Sequence, residues 1–116
     1  MKARLIKNSY ICKILKVNGI TLYPFVFIKD DEVSRRLLTH EAIHVDQVKR
    51  MGLFRFYTVY LWDYFQLRLK GQRHREAYLN IGLEKEAYGH EDSWDSYCKI
   101  YGANRSMAQD PSELFV

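Results

Sequence analysis

The sequence predicts an α+β domain in which a short antiparallel β-hairpin or sheet packs on about four helices. Three observations carry this expectation. Two β-branched and aromatic runs flank Asn18-Gly19 near the start, and long amphipathic stretches bounded by glycines follow. At 116 residues, 47% hydrophobic and 15% aromatic, the chain is also long enough to bury one core.

Taken in order, residues 10–17 and 20–28 read as the two hairpin strands, with Asn18-Gly19 as a type I′ turn that needs φ > 0. Pro24 has no N–H, so the second strand is expected to keep one side unpaired. Asp30 or Asp31 is the expected cap of a helix that runs to Met51 and stops at Gly52. A second helix follows over 53–70, ending at Gly71; its dense aromatic residues read first as packing, and less readily as a surface for a partner or membrane. A short segment spans 73–79, Asn80-Ile81-Gly82 is a break, and a last helix is expected over 83–101. Residues 1–101 form the expected single domain and 102–116 a loose tail.

The net charge of +4 is scattered, without a block of five like charges, so a solvated basic surface is expected rather than a specific nucleic-acid site. Two cysteines, Cys12 and Cys98, make no disulfide framework or CxxC pair. No signal-peptide core and no transmembrane run stand out, so an intracellular, cytoplasmic protein is the expectation.

The chemistry lies in His40-Glu41-Ala42-Ile43-His44, an HExxH motif inside the first long helix. At 100° per residue the two histidines stand about 40° apart on successive turns, so both imidazoles can share one tetrahedral zinc ion. Glu41 flanks that face, where a carboxylate can take a proton from water at the ion. Gln47 lies about 20° from His40 on the same face and can orient a ligand or substrate. Asp46 projects from the opposite side and reads as structural or solvated. A structural alternative also exists for the whole motif: a helix carrying two surface histidines and an ordinary acid.

A catalytic zinc needs a third protein ligand and an open position. Gln47 and Arg50 stand where a metzincin requires Gly and His, which excludes that class. The pattern His40-Glu41-x-x-His44-x-x-Gln47, followed by Asn80-x-x-x-Glu84-x-Glu86-Ala87-Tyr88, resembles the gluzincins, in particular small phage- or prophage-type metallopeptidases. The resemblance implies a minimal zincin-like fold, one zinc ion, and a glutamate on a later helix as third ligand. It points to Glu86, with Glu84 and Glu76 as competitors, and places His90 and Tyr88 as candidates to hold a ligand or substrate. It leaves the oxyanion stabiliser open, because the chain has no room for the second domain of larger members.

The function these readings imply is zinc-dependent hydrolysis of a peptide or isopeptide bond in a peptide or protein substrate. The rival is a zinc-containing binding or regulatory module that uses the aromatic helix 53–70 as its interface.

Overall fold

The computed structural model describes residues 3–101 and 110–115. In chain order these residues form β1 (Arg4–Ile6), α1 (Tyr10–Leu15), β2 (Gly19–Leu22), β3 (Phe25–Ile28), α2 (Arg35–Met51), α3 (Leu53–Leu69), α4 (His74–Asn80), α5 (Gly82–His90) and α6 (Trp94–Tyr101). A single 3₁₀ turn, Pro111–Leu114, follows. The class is α+β, as expected from the sequence. No helix among the described residues is long and apolar enough to cross a membrane.

The hairpin is displaced from its expected place. Residues 10–15 are helical, because the Ser9 side chain accepts from the Ile11 N–H at 3.2 Å and caps the first turn. Lys13 and Lys16 break both alternating faces of the run, so a strand here would have no continuous apolar side. The turn instead falls at Tyr23-Pro24, joined by a cis peptide, and divides 20–28 into antiparallel strands β2 and β3. β1 adds to the other side of β3 in parallel, giving a mixed sheet in the order β1-β3-β2. β1 and β2 are therefore the two edge strands, and β2 (Gly19–Leu22) is the one beside α2 and α3.

α2 starts later than expected: Ser34, not Asp30 or Asp31, caps it by accepting from Leu37 N–H at 3.1 Å. Gly52, with φ near 89°, ends it. Every residue from Thr39 to Val48 is buried, so α2 is the central helix, covered on all sides. One core cluster joins its Ala42, Ile43 and Val45 to Val26, Ile28, Ala87, Trp94 and Tyr97. A second joins Val48 to Phe56, Ile81 and Leu83.

The expected last helix is two. α5 ends at His90, and Ser93 restarts the chain as α6 by accepting from the Ser96 N–H at 3.2 Å. This break turns Trp94 and Tyr97 back onto the core. Part of the expected loose tail is also packed: Phe115 bridges to Ala3 and joins the first core cluster. Residues 102–109 and 116 of that tail lie outside the described residues. α3 departs most from expectation, since Phe56 alone of its aromatic residues is buried.

Candidate metal centre

The polar residues of α2 are buried at its covered middle, so each must find a partner. His40 and His44 are each 3% exposed, and their Nε2 atoms stand 3.2 Å apart. Glu84, also 3% exposed, enters from the first turn of α5, and its Oε1 lies 3.0 Å from both Nε2 atoms. These three atoms form a nearly equilateral triangle. A tetrahedral ion with ligands ~2.0 Å away has edges of about 3.3 Å, close to the observed spacing.

The outer bonds assign a proton to each Nδ1. His40 Nδ1–H donates to Glu91 Oε2 at 2.9 Å, since a carboxylate can only accept. Gln47 Nε2 donates to the Leu83 carbonyl and to Glu86 Oε1, both at 3.1 Å. That orientation leaves Gln47 Oε1 to accept from His44 Nδ1–H at 2.9 Å. With both Nδ1 atoms donating outward, each Nε2 of a neutral imidazole would be an acceptor facing a third acceptor, the Glu84 carboxylate. Three lone pairs cannot converge at this spacing without a cation among them, either a proton or a metal ion. Metal-ligating histidines characteristically donate their other N–H in this way. The donor set fits zinc. His40, His44 and Glu84 are the metal-capable cluster found among the described residues.

The electrostatics agree with the geometry. Burial pushes the His44 imidazole down, but the Glu84 carboxylate beside it and the bond to that carboxylate raise it to about 9. Burial would raise Glu84, yet His44 and His40 outweigh this and hold its carboxyl well below the usual range. Tyr60 on α3 donates to Glu84 Oε2 at 2.6 Å and fixes the carboxylate plane.

Glu41 stands beside this cluster, as the helix geometry predicts, and outside the convergent set. It is 2% exposed, and its Oε1 accepts from Thr21 Oγ1 at 3.1 Å. Among the described residues its Oε2 accepts no hydrogen bond. Burial raises its carboxyl, opposed by His44 and His40. Gly19 of β2 lies against it: a Cβ on Gly19 would stand 2.9 Å from Glu41 Oε2. The glycine thus permits a close approach of the strand to Glu41, and does not have the positive φ of the expected turn.

The cluster separates two cavities. One, of about 390 Å³, is lined by His40, Glu41, Tyr78 and Tyr88, with Asp30, Glu32 and Glu91 at its acidic side. The other, of about 400 Å³, runs between the β2 edge and α3 and reaches His44 and Glu84. Tyr88, singled out in the sequence, packs its ring edgewise on His40 with centroids 4.4 Å apart.

The glutamate that the structure brings to the two histidines is Glu84, not the expected Glu86. Glu86 faces away from the histidines and binds Arg50 Nη2 at 2.7 Å. His90 packs edgewise on the rings of Tyr97 and Tyr101 and is not part of the convergent cluster. Glu76 accepts from the Arg73 N–H at the start of its own helix. Asp46 is structural, accepting from Tyr97 Oη at 2.5 Å and pairing with Arg50. The physical reason is the face that α5 turns to α2, which is Glu84, Ala87, Tyr88 and Glu91 at helical spacing. Small Ala87, fully buried, lets the two helices approach. That spacing groups Glu84 with Glu91 in the sequence, but nothing in the segment marks this face, rather than that of Glu86, as the one that meets α2. Tyr60, Thr21 and Gly19 carried no comparable signal.

Comparisons with protein families, curated proteins and solved structures return no match to this chain.

Proposed function

We infer that this chain is a zinc-dependent hydrolase of peptide or isopeptide bonds, of gluzincin type. One observation carries the reading: three inward-facing acceptors, His40 Nε2, His44 Nε2 and Glu84 Oε1, converge beside a buried carboxylate, Glu41, that is not one of them. Two histidines one turn apart on one helix, with a glutamate from a later helix, are what the gluzincin reading calls for, with Glu84 taking the part expected of Glu86.

His40, His44 and Glu84 would hold the ion, with an open fourth position. A zinc ion bound there supplies Lewis acidity that polarises a carbonyl and makes water a better acid. Glu41 is held through Oε1 by Thr21, while Oε2 is free to accept a proton from the attacking water. Its burial raises its proton affinity, which suits a base that then returns the proton to the leaving amine. An extended substrate can lie along the free edge of β2, which lines the cavity reaching His44 and Glu84. The Thr21 carbonyl is already bonded to Tyr57 Oη, so it is not available to that strand.

The exposed aromatic side of α3 favours the rival, a binding module that retains the ion and turns nothing over. Glu41→Gln separates the two. The variant should keep its metal and fold, and should lose about 10²–10⁴-fold in turnover of a peptide library. Equal turnover by the two proteins removes Glu41 as the base. Absence of turnover in both moves the reading to the binding module.

A further inference from the structure

The exposed side of α3 is apolar and cationic, and it meets the site described above only at Leu61, which lines the rim of the cavity that reaches His44 and Glu84. Phe54, Leu61, Trp62, Phe65 and Leu69 are all exposed, Phe54 at 89% and Leu69 at 72%. They recur at helical spacing within an arc of about 100°, widened to about 140° by the arginines at its edges, so they form one stripe along the helix. Arg55 and Arg68 are exposed on the same arc. The one acid of the helix, Asp63, points the opposite way, where its Oδ2 accepts from Gly82 N–H at 3.2 Å. Trp62 and Phe65 stack on each other at 6.1 Å in the open.

The charge of the chain is segregated to match. Residues 1–29 hold six Lys or Arg and no acid, and residues 47–75 hold seven with Asp63 as the sole acid. Both segments line the cavity beside α3, the first with Leu15, Val17 and Leu22 and the second with Leu61 and Tyr64. Next to that rim, α1 exposes Tyr10 and Ile14, with Lys13 and Lys16 also exposed. The opposite cavity carries the acids Asp30, Glu32 and Glu91.

From this arrangement we propose that the outer faces of α1 and α3 form a docking surface for an anionic lipid bilayer, which the protein touches without crossing. An apolar aromatic stripe edged only by cations matches the layering of that surface, with acyl chains below and anionic headgroups around them. Trp and Phe favour the boundary between the two. A second copy of the chain is a poor occupant, because two-fold pairing of this face brings Arg55 and Arg68 of both copies together with no acid to meet them. The surface does not depend on the metal reading, so either can fail alone.

The test is co-sedimentation of the full chain with phosphatidylcholine vesicles, with and without phosphatidylglycerol, together with tryptophan emission. Trp62 is exposed and the other tryptophan, Trp94, is buried, so a blue shift reports the stripe. The expected result is salt-sensitive binding to the anionic vesicles alone, with a blue shift that Trp62→Phe abolishes. The double variant Leu61→Asp, Phe65→Asp should lower partitioning by more than about tenfold. Both side chains are exposed, so its circular dichroism and melting should be unchanged. Removing Arg55 or Arg68 should cost about fivefold each. No binding to either vesicle, or equal partitioning of wild type and double variant, overturns the proposal. So does self-association in the absence of lipid that the double variant abolishes, since it gives the face to a second copy.

Discussion

Gly19 on the edge strand lies so close to Glu41 on the central helix that a methyl group at Gly19 would sit 2.9 Å from the Glu41 Oε2 atom. The sheet and the central helix are therefore coupled at the candidate base itself.

Gly19→Ala should push Glu41 from its bond with Thr21 or shift the strand, at a cost of about 1–3 kcal/mol. The melting temperature should fall by several degrees. Gly89→Ala is the control, because a Cβ there meets nothing within 4 Å and alanine favours the helix. It should leave the melt unchanged or raise it. Matched melts of the two variants decide this.

Glu84→Ala should weaken zinc binding by more than about 100-fold, beyond the ~10–100-fold that an outer partner of a ligand contributes. Glu86→Ala should leave zinc affinity within this smaller range. It should instead reduce stability, since Arg50 loses its 2.7 Å partner. Competition against a chromogenic chelator gives both affinities. Greater damage from Glu86→Ala would overturn the placement of Glu84 at the ion.

Zinc uptake should release protons at neutral pH. Without metal, Glu84 holds the His44 imidazole up to about 9, above its ordinary 6.5, so it carries a proton that ligation must displace. Apparent zinc affinity should then rise with pH up to about 9, by up to about tenfold per unit. Calorimetry in buffers of different ionisation enthalpy counts the protons, and none released at pH 7.5 would sink this. The same raised value sets a stability window for the metal-free protein. Its contribution is complete below pH 6.5 and is lost as pH rises through about 9. The lowered Glu84 value acts in the other direction, contributing above its ordinary 4.5 and failing as pH falls below it.

Tyr60→Phe removes the 2.6 Å donor to Glu84 Oε2 while keeping the ring. Zinc affinity should fall by about tenfold, with the fold intact. An affinity equal to wild type would show that the carboxylate needs no such hold.

What the sequence determined by itself is whatever depends on spacing along one helix. His40, Glu41, His44 and Gln47 are ordered by the helical repeat alone, and α2 and α3 were legible from their length and glycine stops. The α+β class followed from the same patterns. The structure decided what depends on contacts between distant segments. Residues 10–15 have strand-like composition, but Ser9 caps them into a helix, and a local hydrogen bond outweighs a weak preference. Residues 83–101 look like one helix until Ser93 folds α6 back to bury Trp94 and Tyr97. Glu84 and Glu86 differ by two positions, or about 200° around a helix, and nothing within the helix says which side meets α2. That choice belongs to packing: Ala87 makes the close face, Glu84 and Glu91 lie on it with the histidines, and Glu86 is left to Arg50. A helical repeat can place residues on a common face, but which face is buried is set by the partner helix, and the partner is not written in the segment.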